Sequence, residues 1–112
     1  MSATFVRRFH LRDSLSGKEI ADFWRFVVQE WVPAVEKVSG MRSVKFYVGA
    51  GGLRADLRMV LEMDHAGVAE TVSALPGIYR FFAAMDMKTS TTQILYELTP
   101  DRFIEPLQML GR

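Results

Sequence analysis

The sequence predicts an α+β fold: four antiparallel strands in the order 4-1-3-2, with the helices of a β-α-β-β-α-β chain packed on one face. Three observations predict it. Period-two alternation occurs in four separate segments, stretches of helical period lie between the outer pairs, and the middle two strands meet across a short glycine-rich link. The chain has 112 residues, 49% of them apolar, which is enough for one core, so a single domain over 1–112 is expected.

In the first segment, residues 4–12, Phe5, Arg7, Phe9 and Leu11 alternate with Val6, Arg8, His10 and Arg12. This is a strand with one mainly apolar face. "SGKE" follows, with Ser16 as N-cap and Glu19 three residues on, a capping box that satisfies amides of the first helical turn. Along that helix Ile20, Phe23, Trp24, Val27, Trp31 and Val35 form one stripe. Pro33 lacks an amide and crowds the carbonyl four residues back, which predicts a kink or break near Val32. Gly40 is expected to close the helix as a left-handed cap.

The next two strands put Val44, Phe46 and Val48, then Ala55, Leu57, Met59, Leu61 and Met63, on the buried side. Matching apolar faces requires an odd register sum, and 103 sets Val48 opposite Ala55, Phe46 opposite Leu57 and Tyr47 opposite Asp56. The link "GAGGLR" does not suit a dinucleotide: the third small residue of that fingerprint is replaced by Arg54, and a strand rather than a helix follows. Asp64 is placed to cap a second helix through Ala66, Val68, Ala69 and Val72. "LPG" at 75–77 interrupts it, and Ile78, Phe81, Phe82 and Met85 continue the helical stripe. "TTQILYEL" supplies the last strand, with Ile94, Tyr96 and Leu98 on its apolar side.

Composition excludes several function classes. Fourteen Lys and Arg against 13 Asp and Glu give a formal charge of +1 with the signs interspersed, so neither nucleic acid nor an anionic membrane is an expected partner. No segment approaches the roughly 20 apolar residues of a membrane span. Without cysteine there is no disulfide framework or thiolate, and a cytoplasmic protein is expected. The two histidines lie in different elements without metal-ligand spacing; His65 reads as a surface or capping residue, and no metal or other cofactor is expected. A serine hydrolase lacks its nucleophile elbow here, and the serines of "SLSG" read as caps.

Two helices on one side leave the opposite sheet face, with Val6, Val60 and Leu95, uncovered. The tail "DRFIEPLQML" adds Phe103, Ile104, Leu107, Met109 and Leu110 with no element left to bury them. A homodimer through the open sheet face and the tail is therefore expected. The element order, the aromatic first helix ending "EWVPAVEKVSGMRSVKFYVG" and the hydrophobic tail resemble the dimeric α/β barrel superfamily of ferredoxin-like proteins. That resemblance implies two sheets packed face to face with helices outside. It also implies a range of activities, from cofactor-free monooxygenases and haem-degrading enzymes to small isomerases and proteins of no known activity. Haem-degrading relatives, and quinone-forming monooxygenases, use an Asn that this chain, having no Asn at all, does not supply.

The candidate site residues fall into two groups. Arg7, between Phe5 and Phe9 on the helix-facing side of a central strand, needs a partner, and a small acid, phenolate or enolate would supply it in a cleft walled by Trp24, Trp31 and Tyr96. The structural alternative is an internal ion pair. On the other face, His10 is expected beside Asp56, with Tyr47 across from it and Gln93 nearby. A carboxylate there would orient one imidazole nitrogen and leave the other to move a proton; the alternative is a solvated ionic network. The expected function is a small-molecule-binding dimeric barrel taking a small hydrophobic, aromatic or acidic ligand. It is either a cofactor-independent monooxygenase- or isomerase-like enzyme, or a non-catalytic dimer that binds a ligand or a protein.

Overall fold

A computed structural model of the chain describes residues 1–97. Its elements are β1 (Ala3–Phe9), α1 (Gly17–Phe26), a π-helical turn (Val27–Trp31), α2 (Val32–Glu36), β2 (Met41–Val48), β3 (Leu57–Met63), α3 (Val68–Ser73), α4 (Ile78–Ala84) and β4 (Thr91–Leu95). The four strands form one antiparallel sheet in the order β2-β3-β1-β4, the expected 4-1-3-2 order counted from the other edge. Along β3, Leu57, Met59, Leu61 and Met63 are buried against the helices, while Arg58, Val60 and Glu62 face away. Alternation in the sequence thus becomes a two-sided sheet.

Helix α1 starts as the capping box requires: Glu19 N–H donates to Ser16 Oγ at 3.2 Å and Ser16 N–H donates to Glu19 Oε1 at 3.0 Å. Pro33 does not break the helix. The turn before it widens instead, with Val32 N–H donating to Val27 O, five residues back, and α2 then continues with the proline in its first turn. The wider turn accommodates one additional residue, relieving the crowding that a proline imposes on a regular α-helix. Gly40 has φ of 89°, the left-handed conformation expected of it.

Phe81 of α4 is the hub of the core. It stacks on Trp31 at 5.1 Å between ring centroids, and meets Phe9 at 5.4 Å, Phe23 at 5.7 Å and Phe46 at 6.2 Å. Each such buried side chain contributes on the order of 2 kcal/mol through removal of apolar surface from water. Phe26, outside the expected stripe, is buried as well.

Three expectations are corrected. The β2–β3 register sum is 105, not 103: Val48 pairs with Leu57, Phe46 with Met59, and Tyr47 with Arg58 rather than Asp56. Face matching fixes only whether that sum is odd, and the link between the paired strands is two residues longer than expected. Asp64 does not cap α3, which starts at Val68 without a side-chain cap; its carboxylate binds Arg42 Nε. The last strand ends at Leu95 and is exposed along its length, so Tyr96 lies beyond it. Leu98 and the hydrophobic tail lie outside the described residues.

Candidate functional site

Strand alternation sends Arg7 to the helix-facing side of β1, between Phe5 and Phe9, with Met59 of β3 and Thr92 of β4 as its strand partners. Phe9 is fully buried, whereas Arg7 and Phe5 are half-buried. Arg7 Nη1 donates to Ser90 Oγ at 3.0 Å, and the guanidinium carbon lies 5.0 Å from the centre of the Phe82 ring and 5.8 Å from that of Phe5. None of the described carboxylates forms an ion pair with it. Burial lowers its pKa from the ordinary arginine value, yet a guanidinium stays charged. The result is a cation with one hydrogen-bond acceptor among the described residues, beside two phenyl rings. That arrangement suits a flat anion, because the rings supply apolar contact and the fork supplies paired donors.

The other expected walls of this cleft stand elsewhere. Trp31 is buried in the core, its Nε1–H directed at Met59 Sδ at 3.3 Å and its ring stacked on Phe81. Trp24 packs edge-on against Phe23 and Phe46, and its Nε1–H donates to Leu53 O at 2.9 Å, tying α1 to the β2–β3 link. Phe46 belongs to β2, which stands two strands from β1, roughly 10 Å across the sheet. Tyr96 is 51% exposed beyond β4.

His10, Asp56 and Tyr47 gather at the opposite face. Asp56 N–H donates to His10 Nδ1 at 3.1 Å. The two residues meet as expected, but through the Asp56 backbone. Its carboxylate accepts from Arg8 Nε at 2.8 Å instead, with Arg58 Nη2 3.8 Å from the same oxygen. Asp56 has φ of 54°, a left-handed conformation that aspartate tolerates better than most residues. Tyr47, paired with Arg58, lines a groove of about 450 Å³ together with Val6, Gly49, Asp56 and Val60. The expected acid-base group and Arg7 therefore occupy different faces of the sheet. Among the described residues no three His, Asp or Glu side chains converge to hold a metal ion.

No protein-family model matches the sequence, and no curated protein matches it either. Solved structures do. A dimeric protein of unknown function and ferredoxin-like fold from Bacteroides fragilis superposes with a TM-score of 0.66 at 17% identity, over 87% of this chain and 96% of that one. The chain has a ferredoxin-like fold. The same ferredoxin-like arrangement is found in SnoaB, a cofactor-independent oxygenase from Streptomyces nogalater, with a TM-score of 0.64 at 15% identity over 88% of this chain and 94% of that one. A putative antibiotic biosynthesis monooxygenase from Bordetella bronchiseptica gives 0.67 at 9% identity, over 88% and 98%. These ferredoxin-like neighbours are proteins of the dimeric α/β barrel kind, and at such identities the likeness carries the fold alone.

Sequence reasoning set Arg7 between Phe5 and Phe9, but it left Phe82 in a helical stripe without bringing it to Arg7, and it did not single out Ser90. Phe82 and Ser90 approach only through tertiary packing, which spacing does not encode.

Proposed function

We propose that the chain is a cytoplasmic homodimeric barrel that binds a small aromatic acid or phenol at Arg7 and oxidises it as a cofactor-independent monooxygenase. The observation that carries this reading is the Arg7 guanidinium between the Phe5 and Phe82 rings with Ser90 Oγ as its hydrogen-bond partner. A half-buried cation there favours the phenolate or enolate form of a ligand, because negative charge on the ligand oxygen is stabilised in poorly solvated surroundings. Ser90 Oγ accepts from Arg7, which leaves its own hydroxyl hydrogen for the ligand oxygen. An electron-rich carbanion of this kind reacts with dioxygen directly. In that reaction the ring CH2 of the phenol's keto tautomer becomes a carbonyl: two C–H bonds break, one oxygen atom enters the product, the other leaves as water, and the substrate carbon supplies all four electrons, with Arg7 and Ser90 rather than an Asn, which this chain lacks, stabilising the anion. The oxygenase named among the structural neighbours supports the reading. The sheet face that no described element covers and the dimeric neighbour support the homodimer.

A second reading is a non-catalytic dimer that binds a ligand or a protein. The tight stack of Trp31 on Phe81 beneath α1 favours it, because aromatic rings occupy space that a substrate cleft under that helix would need. Oxygen uptake separates the two. With electron-rich naphthols and no added cofactor, the oxygenase reading expects consumption that falls by about tenfold or more in Arg7→Gln. Ligand binding at Arg7 without oxygen uptake supports the second reading.

A further inference from the structure

Ser90, the hydrogen-bond partner of Arg7, stands just before β4 and is therefore placed by the connection from α4 rather than by the strand itself. That connection starts firmly anchored. Arg12 N–H donates to Ala84 O at 3.0 Å, buried Met85 bridges to Leu11, and Asp86 N–H donates to His10 O at 2.8 Å, so the chain leaving α4 runs antiparallel to residues 10–12. Strand pairing resumes where Thr91 meets Arg8. Only Phe9 separates His10 from Arg8, whereas Met87, Lys88, Thr89 and Ser90 separate Asp86 from Thr91. The surplus residues must leave the line of the sheet, as in a bulge, and such excursions re-aim a neighbouring side chain.

Three hydrogen bonds fold this excursion, and each ends on Asp86. Its Oδ1 accepts from Lys88 N–H at 3.1 Å, and its carbonyl oxygen accepts from Thr89 N–H and from Thr89 Oγ1, both at 3.3 Å. A side-chain oxygen that accepts from the amide two residues on is the bond by which aspartate and asparagine tighten a turn. The next residue is Ser90. It lies two positions before Thr92, the β4 partner of Arg7, so alternation sends its side chain to the helix-facing side, where Oγ meets Arg7 Nη1 at 3.0 Å.

We infer that Asp86 is a positioning residue of the Arg7 site: by closing the turn it sets Ser90 Oγ on the guanidinium and aims the hydroxyl hydrogen at the oxygen of a bound anion. The inference rests on the reading of Arg7 as the receiver of an anion. With Ser90 committed as an acceptor to Arg7, both groups donate toward the ligand, which selects an oxygen that only accepts, a phenolate or carboxylate rather than a neutral hydroxyl.

NMR of the Arg7 guanidinium in the full-length protein tests this, in the free state and then during titration with 1-naphthoate. In free wild type the two Nη groups are expected to give separate signals, because the bond to Ser90 slows rotation of the guanidinium. They should merge in Asp86→Ala and in Ser90→Ala, and stay separate in Asp86→Asn, which keeps the accepting oxygen. Affinity for 1-naphthoate should fall about tenfold in Asp86→Ala and in Ser90→Ala, and no further in the double variant, while Asp86→Asn binds as wild type does. Retained amide dispersion verifies folding; Asp86→Gln, whose carbonyl sits one carbon farther out, replaces Asp86→Ala if that variant does not fold. Nη signals already merged in wild type, or still separate in Asp86→Ala, overturn the inference, as does 1-naphthoate bound equally by wild type and Asp86→Ala. Failure of wild type to bind 1-naphthoate overturns the reading of Arg7 instead, and the Nη signals of the free protein then decide the role of Asp86.

Discussion

Asp56 closes over Gly49: a side chain at position 49 would place its Cβ 2.8 Å from Asp56 Oδ2 and 2.9 Å from Asp56 Cβ. Gly49 N–H also donates to Asp56 O at 3.1 Å, so this pair extends the β2–β3 register one step into the link. Gly49→Ala is expected to destabilise the protein by roughly 1–3 kcal/mol through overpacking. Adding Asp56→Gly removes both the clash and the left-handed strain. A double-mutant cycle in urea should therefore show coupling of about 1 kcal/mol or more; strictly additive effects would mean that the two residues do not share this constraint.

Arg7 is held without an acidic partner among the described residues, and burial disfavours its charge. Arg7→Met keeps the aliphatic stem between Phe5 and Phe82 and removes the cation. Its stability is expected to equal or exceed wild type by up to roughly 1 kcal/mol, as when apolar residues replace buried charges. Denaturant titration checks this. A loss of several kcal/mol would place Arg7 in the structural framework rather than in a binding site.

The two tryptophans should separate sharply. Trp31 is 1% exposed and stacked on Phe81, so Trp31→Ala is expected to cost about 3–5 kcal/mol. Trp24→Ala should cost less, and should raise amide exchange through the link that Leu53 O anchors. Acrylamide should quench Trp24 and leave Trp31 largely untouched.

Much of this architecture was legible in the residues. Alternation placed Arg7 on the helix side and Asp56, His10 and Tyr47 toward the other, because a strand's period of two is a local property. The register was not legible, since sums of 103 and 105 satisfy face matching equally; the choice is made by Asp56 adopting a left-handed backbone beside Gly49. Trp31, expected as a cleft wall, sits in the core for a similar reason. The helical stripe contains both tryptophans, and only the packing of α1 and the π-helical turn on Phe81 and Met59 puts one in the core and the other at the hairpin.

Acidification should act on the α1 capping box. Hydrogen bonds from Ser16, the backbone one first, hold the Glu19 carboxyl below its ordinary value. A depressed carboxyl contributes stability that is present above the unfolded-state value and is lost as pH falls through the folded one. Glu19→Ala should therefore be less stable than wild type at neutral pH, with the gap closing in acid. Thermal melts of both proteins between neutral pH and the lower carboxylate range check it; a gap that widens on acidification would contradict the assignment.

The most direct measurement is a titration of wild type and Arg7→Gln with 1-naphthoate, followed at the Arg7 side-chain Nε–H and the amides of Phe5, Phe82 and Ser90. A flat anion received at Arg7 predicts that these four signals move together and saturate in wild type. In Arg7→Gln the affinity reported by the three amides should weaken by about tenfold or more. Signals that stay still in wild type, or amides of Phe5, Phe82 and Ser90 that saturate identically in the variant, would contradict it.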